Sequence, residues 1–101
     1  MFELDQLIEL YVSTRDPSTF EEILEQLVSR TNEQNYLKIT KSIENQANCS
    51  ELDLSMYLYD IAIPKYTELI PIIKAKLKTF QDKDAIEDLK EALININGKS
   101  I

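Results

Sequence analysis

Apolar residues recur along this chain at intervals of three and four residues, the spacing of one face of an α-helix. The pattern is most regular in the second predicted helix, which runs from the Asp16-Pro17-Ser18 turn to Arg30. Either Asp16 can cap this helix with Pro17 at its first position, or Ser18 can cap it with Glu21 in a capping box. The buried face is predicted to consist of Phe20, Ile23, Leu24, Leu27 and Val28.

Weaker apolar stripes predict helices on both sides of the second one. The first, from Phe2 to Thr14, is a surface helix with one buried face. The third begins at Thr31, where Gln34 can complete a capping box, and ends between Asn45 and Cys49. Because its stripe is thinner, we expect the third helix at an edge of the bundle. The stripes are Leu4, Leu7, Ile8 and Tyr11 in the first helix and Tyr36, Ile39, Ile43 and Ala47 in the third.

The stretch from Ser50 to Phe80 is the most apolar part of the chain and is predicted to form its centre. Ser50 and Asp53 can form a capping box at its start, where the acid also suits the helix dipole. Pro64 should end or kink the helix that begins there, and Pro71 should kink or break the chain again. This helix has two apolar sides, which predicts cover on both. The sides are Leu54, Leu58 and Ile61, and Met56, Tyr59 and Ile63.

Two further stripes complete the pattern. They consist of Tyr66, Leu69, Ile70, Ile73, Leu77 and Phe80, and then of Ile86, Leu89, Leu93 and Ile96. Asp84 can cap the last helix with Glu87, Gly98 suits a left-handed C-terminal cap, and Lys99 to Ile101 is expected to be a loose tail. The elements predict an all-α fold: a compact, roughly antiparallel bundle of five or six short helices with a proline-broken central helix, one domain over residues 1–101.

One internal similarity is visible between residues 16–27 and residues 82–93, which are identical at four of twelve positions. The offset of 66 residues is two periods of 33, which is typical of helical-hairpin repeats. The stretch midway between the two segments shows no third copy. Shared requirements for capping and packing therefore explain the similarity better than a true repeat.

The composition is that of an ordinary globular protein, and 101 residues suffice for one core. One glycine and three prolines are too few turn residues for an all-β fold. No uncharged apolar run reaches the roughly 20 residues of a membrane-spanning helix, and the first six residues are acidic where a signal peptide is basic. Cys49 has no partner for an internal disulfide, so we expect a cytoplasmic protein.

The net charge of −7 is uneven along the chain. Residues 1–60 contain twelve acids and four bases, whereas residues 61–101 contain six acids and seven lysines. An acidic half repels phosphate backbones and attracts basic surfaces. A basic protein is therefore the expected partner, and nucleic acid is an improbable one.

The residues needed for most catalytic chemistry are missing. With no histidine, one cysteine and one glycine, the chain has no Ser-His-Asp or Cys-His nucleophile, no zinc finger and no glycine-rich phosphate loop. Asp82 and Asp84 resemble the start of a calcium loop, but Glu87 stands where that loop needs glycine. We therefore expect a protein that is not an enzyme and that has no metal site and no cofactor.

The candidate partner-binding residues are three acids and three tyrosines. The acids lie on the predicted solvent side of the second helix, where nothing would raise a pKa for catalysis. The tyrosines lie around Pro64 and supply the large, stiff contact area of binding sites, although for each one taken separately core packing is the more common role. Tyr57 and Tyr59 point to different sides of one helix, so one of them should be exposed. The candidates are Glu21, Glu22, Glu25, Tyr57, Tyr59 and Tyr66.

These features predict a non-catalytic protein-binding module that docks an acidic helical surface on a basic partner. Its most concrete form is an inhibitor of the immunity or antitoxin kind, covering the basic groove of a nuclease. The alternative is a small structural subunit or a homo-oligomeric helical assembly protein. The only basic cluster could be a solvated face, meet the acidic helices of a second copy, or bind phosphate or a membrane. It consists of Lys74, Lys76, Lys78 and Lys83.

Overall fold

The computed structural model describes residues 2–98, and these form an all-helical bundle with no strand. The predicted fold class is therefore confirmed, whereas the predicted tail at Lys99 to Ile101 lies outside the described residues. Six helices are present within this range: α1 (Leu4–Ser13), α2 (Pro17–Arg30), α3 (Tyr36–Glu44), α4 (Glu51–Ile61), α5 (Leu69–Leu77) and α6 (Lys83–Asn97).

Several helices follow polar turns, and side-chain caps determine the residue at which these helices begin. At α2, the Asp16 carboxylate accepts a hydrogen bond from the Thr19 N–H at 2.9 Å, which selects the cap with Pro17 at the first position. Ser50 and Asp53 form the predicted capping box at α4, with both hydrogen bonds at 3.0 Å. These local sequence signals therefore set the boundaries correctly.

The cap of α6 lies two residues earlier than predicted, but its C-terminus agrees with the prediction. The Asp82 carboxylate accepts from the N–H groups of Asp84 and Ala85 at 2.9 and 3.1 Å. Asp82 rather than Asp84 is therefore the cap. At the other end, Gly98 has the left-handed conformation (φ 65°), and its N–H donates to the Ile94 carbonyl.

Two predicted boundaries are wrong for identifiable reasons. The Asn32 side chain accepts from the N–H groups of Gln34 and Asn35 and holds a turn, so α3 begins only at Tyr36. Pro71 is the third residue of α5, where its missing N–H has no helical partner to lose. The chain is interrupted once between α4 and α5, and Pro71 neither kinks nor breaks it again.

Successive helices run in opposite directions because the connections between them have only three to seven residues. At the end of α2, the Arg30 guanidinium donates to the Phe2 carbonyl at the start of α1, at 2.9 Å. Glu51, the first residue of α4, accepts from the backbone N–H groups of Gln81 and Asp82 just before α6, both at 2.8 Å. Hence α4 and α6 begin at the same end of the bundle and share a direction.

The alternation sorts the helices into two layers. The odd layer consists of α1, α3 and α5, and the even layer of α2, α4 and α6. Within the odd layer, the rings of Tyr36 and Tyr66 stack at 4.0 Å, and an ion pair joins Glu44 to Lys76. Within the even layer, the Ser55 hydroxyl donates to Asp88 at 3.2 Å. The bundle is thus three helical hairpins lying side by side.

The hairpins recur at a nearly constant interval. The odd helices begin at residues 4, 36 and 69, and the even helices begin at 17, 51 and 83. The intervals of 32 to 34 residues agree with the period of 33 suggested by the internal similarity. The three hairpins are thus of similar length, and the interpretation of the sequence similarity as shared capping and packing stays a prediction.

The core lies between the layers and includes buried residues from all six helices. Tyr11 of α1 is fully buried, and its hydroxyl donates to the Asp53 carbonyl of α4 at 2.7 Å. The most extensive contact between helices is that of α4 with α6, where Ala85 and Ala92 are fully buried. Their small side chains let the two helices lie close together. The central even helix is therefore held from several sides.

Candidate protein-binding surface

The two layers differ sharply in charge. The even helices contain ten acidic and three basic residues, a net charge of −7, whereas the odd helices contain three acids and four lysines, a net charge of +1. The excess acid of the chain is therefore on one layer. The division into an acidic N-terminal half and a neutral C-terminal half is accompanied by a division between layers, because alternate helices along the chain lie on the same side.

An apolar stripe runs along the solvent side of α4, the central helix of the even layer. Leu52, Met56 and Tyr59 lie at intervals of four and three residues and so share one side of α4. Ile63 follows the end of the helix at Ile61 and the extended residue Ala62. Tyr59 and Ile63 are each 42% exposed, while Leu52 and Met56 are half-buried. We call these four residues the α4 stripe. Met56, Tyr59 and Ile63 are the second apolar side predicted for this helix, to which the structure adds Leu52, and the C-terminal end of the stripe is exposed.

Acidic residues of α2 lie along one flank of the α4 stripe. Glu21, Glu25 and Val28 are separated by four and three residues, so they share a side of α2. Val28 lies with Asp60 and Ile63 in the wall of a shallow depression at the end of both helices. Glu21 and Glu25 are exposed and continue this flank towards the start of α2.

Acidic residues of α6 lie along the other flank. Asp84, Asp88 and Glu91 have the same spacing of four and three residues, and Asp88 contacts Ser55 of α4. Partial burial raises the pKa of Asp88, as do the nearby charges of Asp84 and Asp82, whereas the hydrogen bond from Ser55 lowers it. The apolar stripe is thus bordered by carboxylates on both sides.

Asp60 belongs to the α4 surface itself and lies beside Ile63. Its pKa is raised above the ordinary value, first because partial burial removes water from the carboxylate and then because Asp88 is negatively charged. These carboxylates repel one another, so a cation placed between them would relieve the repulsion.

The structure separates the three candidate tyrosines. Tyr59 is exposed, as expected for one of the Tyr57–Tyr59 pair. Tyr57 has no exposed surface, and its hydroxyl is hydrogen-bonded to Thr31 at 2.9 Å. Tyr66 is only 7% exposed and stacks on Tyr36. The expectation that Tyr57 and Tyr66 anchor a partner is therefore corrected: both are core residues, and Tyr59 alone of the three reaches the surface.

The three candidate acids of α2 are all exposed. Glu22 and Glu25 line a shallow groove with Gln26 and Ser29 along the outer side of the helix. Glu21 lies one turn before Glu25 and completes the acidic surface of α2. The structure thus places these acids and Tyr59 on the same layer.

The basic cluster lies mainly on the other layer. Lys74 and Lys78 are exposed at α5 and just after it, and Lys76 is paired with Glu44 of α3. Lys83 is exposed at the start of α6. Lys74, Lys76 and Lys78 therefore lie away from the α2 and α6 flanks of the α4 stripe, whereas Lys83 is on the same helix as Asp84 and Asp88.

Several residues of the surface were not among the sequence candidates. Asp60, Asp84, Asp88 and Glu91 escaped notice because charge was compared between halves of the chain. Summing charge over alternate helices would have found them, since a bundle with short connections places alternate helices on one side. Met56 and Ile63 belonged with Tyr59 to the predicted second apolar side of the helix and Leu52 did not, and the exposure of that side was not predictable.

Among residues 2–98, no three carboxylate or thiol groups are arranged to hold a metal ion. None of the helices within that range has the length and apolar character required to cross a bilayer. Cys49 is half-buried, and burial together with the charges of Asp53 and Glu44 raises its pKa to about 11. The thiol is therefore protonated at neutral pH and is a poor nucleophile.

Comparison of the chain with protein-family models, curated proteins and solved structures gives no significant match. The described residues form a small all-helical bundle with an acidic layer and a partly exposed apolar stripe at its centre.

Proposed function

We propose that this protein is a non-catalytic binding module whose even layer docks on a basic surface of another protein. The observation that carries the proposal is the concentration of the net charge, −7, on that layer around the α4 stripe. Complementary charge speeds encounter and selects the partner, while exposed aromatic and aliphatic side chains supply affinity on contact.

Rigidity also supports a binding role. The α2 and α4 helices begin with side-chain caps, α4 is packed against α2, α3 and α6, and the described buried side-chain polar atoms all have hydrogen-bond partners. A preorganised surface loses little conformational freedom on binding. An inhibitor of the immunity or antitoxin kind, which covers a basic substrate groove, is the most concrete form of this function.

The proposal is tested by partner capture with charge-reversed variants. The tagged protein is used to capture proteins from its native source, and captured proteins are identified by mass spectrometry. We expect to capture a basic protein whose binding weakens when salt is added. Its affinity should fall at least about tenfold when Glu21, Glu22 and Glu25 are all changed to lysine, because like charges would then repel across the interface.

A matched variant distinguishes the effect of acids on the even layer from the effect of the overall net charge. Asp5→Lys, Glu9→Lys and Glu33→Lys changes the net charge equally but leaves the even layer intact, and this variant should retain the partner. Binding that ignores salt and survives reversal of Glu21, Glu22 and Glu25 would rule out the proposed function. A small structural subunit or homo-oligomer, the alternative, would instead show self-association in sedimentation at rising concentration.

A further inference from the structure

We infer that the α4 stripe seats the apolar side of a basic amphipathic helix of the partner protein, with the partner's lysines or arginines on the carboxylates at both flanks. This inference rests on the proposed function and deepens it by naming the element that binds. The stripe is Leu52, Met56, Tyr59 and Ile63, and the flanks are Glu21 and Glu25 of α2, Asp60 of α4, and Asp84, Asp88 and Glu91 of α6.

The dimensions of the stripe fit a helical ligand. Its helical part, from Leu52 to Tyr59, extends over about 10 Å, taking 1.5 Å for each residue of a helix, and Ile63 lies just beyond the end of α4. Two to three turns of a second helix span this part and Ile63, and present apolar side chains at intervals of three and four residues. Such a helix would meet the exposed Tyr59 and Ile63 at the C-terminal end of α4 and the half-buried Leu52 and Met56 at its start.

A helix is favoured over an extended segment by the backbone of the surface. The described residues contain no strand, so there is no open sheet edge to which an extended peptide could add. Apart from those of its first and last turns, the backbone N–H and C=O groups of α4 are used within the helix. A partner must therefore be held by side chains, and an apolar stripe between two charged rows matches an amphipathic helix.

The charge of the flanks selects a basic protein helix over two other occupants. A membrane surface is disfavoured because anionic lipid headgroups would lie against carboxylates on both sides of the stripe. A second copy is disfavoured because the lysine-bearing helix α5 buries its apolar residues Leu69 and Ile73 in its own core. Lys74 and Lys78 could reach the flanks of another copy, but the apolar residues beside them, Ile70, Ile72 and Leu77, are themselves partly buried and offer little surface to the stripe.

The partial burial of Asp60 and Asp88 supports the same choice. A lysine or arginine close to both would compensate carboxylates that are already poorly solvated and mutually repelling. The energetic gain from such a cation exceeds that at a fully hydrated surface acid. The flank acids therefore act both in selecting the charge of the partner and in retaining it.

The test uses two fluorescent synthetic peptides of equal composition. One is a helical peptide of about four turns with leucines on one side and lysines along both edges of that side. The other has the same residues in an order that destroys the apolar side. Binding to the full protein is measured by fluorescence anisotropy, and sedimentation is measured in parallel. The variants are Tyr59→Ser with Ile63→Ser, and Phe2→Ser as the control, because Phe2 is an exposed apolar residue (51%) that precedes α1 and is not part of the stripe.

We expect the amphipathic peptide to bind at least about tenfold more tightly than the reordered one, the effect of losing a hot-spot contact. The Tyr59–Ile63 double variant should remove most of this difference, and Phe2→Ser should leave it unchanged. Both substitutions are at exposed positions, and unchanged thermal unfolding confirms that the variants are folded.

Equal binding of both peptides, with no effect of Tyr59→Ser and Ile63→Ser, would overturn the inference but leave the proposed function standing on charge alone. Self-association that disappears in the same double variant would overturn it in favour of a second copy as the occupant. Binding of neither peptide, with partner capture still dependent on Glu21, Glu22 and Glu25, would likewise overturn the inference alone. Failure of the capture experiment is what overturns the proposed function.

Discussion

Tyr57 and Tyr59 are two residues apart, yet one is a core residue and the other a surface residue. Two positions on a helix differ by about 200° around its axis, so they cannot both face the core of a two-layer bundle. The sequence therefore predicts that one is exposed. It could not predict which one, because that depends on where α2 and α6 pack against α4. Tyr57 faces the interior and contacts Thr31, whereas Tyr59 lies in the gap between the neighbouring helices.

Asp60 provides a prediction at this scale. The pKa of Asp60 is higher in the folded protein than in the unfolded chain, where it is about 3.8. The stabilisation that comes from this difference is fully present below pH 3.8 and is lost as the pH rises through the folded-state pKa. Asp60→Asn removes the ionisation and therefore this loss of stability. We expect the variant to be more stable than the original protein at neutral pH, by up to about 0.5 kcal/mol, the usual range for an exposed substitution.

The measurement is thermal unfolding across a pH series, with Asp5→Asn on the odd layer as the matched control. The advantage of Asp60→Asn should shrink as the pH falls towards 3.8. A gain that persists in acid, or one that Asp5→Asn reproduces, would show that the carboxylate of Asp60 is not unfavourable in the folded protein.

Among the helices, boundaries governed by local chemistry were predictable and contacts between helices were not. The Ser50–Asp53 capping box acts within one turn, so the sequence alone identifies it. The effect of Pro71 depends on where α5 begins, and that start lies after a turn whose position the apolar pattern does not show. Ala85 and Ala92 were missed as core residues because a methyl group adds little to an apolar stripe.

The close contact of α4 with α6 provides a prediction at the scale of the helix. Ala92 is fully buried, so Ala92→Leu inserts three extra carbon atoms between two helices that already touch. We expect a loss of about 1–3 kcal/mol in the free energy of unfolding, measured by chemical denaturation. Ala75→Leu on the exposed side of α5 is the control and should be nearly neutral. Equal stability of the two variants would contradict close packing at Ala92.

At the scale of the whole molecule, the chain's excess acid lies on one layer as well as in the N-terminal half of the sequence. The N-terminal acids at Glu21, Glu22 and Glu25 were identified from the sequence because they form one helical surface. The C-terminal acids at Asp84, Asp88 and Glu91 were obscured by the lysines of α5, which precede them in the chain but lie mainly on the opposite layer. The net charge of one half of the sequence therefore combines residues that the fold places on two different surfaces.

The layered charge predicts a dependence of stability on salt. Carboxylates crowded on one layer repel one another in the folded state, and at about 0.1 M salt the screening length is only about 10 Å. The midpoint of thermal unfolding should therefore rise when sodium chloride is added at low ionic strength. Glu21→Gln, Glu22→Gln and Glu25→Gln together should raise the midpoint in low salt and reduce its response to salt.

Neutralising acids outside the even layer is the control for this prediction. The variant with Asp5→Asn, Glu9→Gln and Glu33→Gln loses the same total charge, but its acids are not flanked by those of α4 and α6. Its salt response should stay closer to that of the original protein. Identical responses of the two variants would indicate that net charge alone matters and that its sorting into a layer has no energetic effect.

The hairpin arrangement also determines how the chain can reach its structure. The principal contacts join helices that are neighbours or next neighbours in order, such as α1 with α2 and α3, and α4 with α6. Few long loops must close before stabilising contacts form, and helical proteins with local contacts of this kind fold in microseconds to milliseconds. The protein should therefore complete folding one hairpin at a time as it is synthesised, with the even-layer surface finished only when α6 docks beside α4.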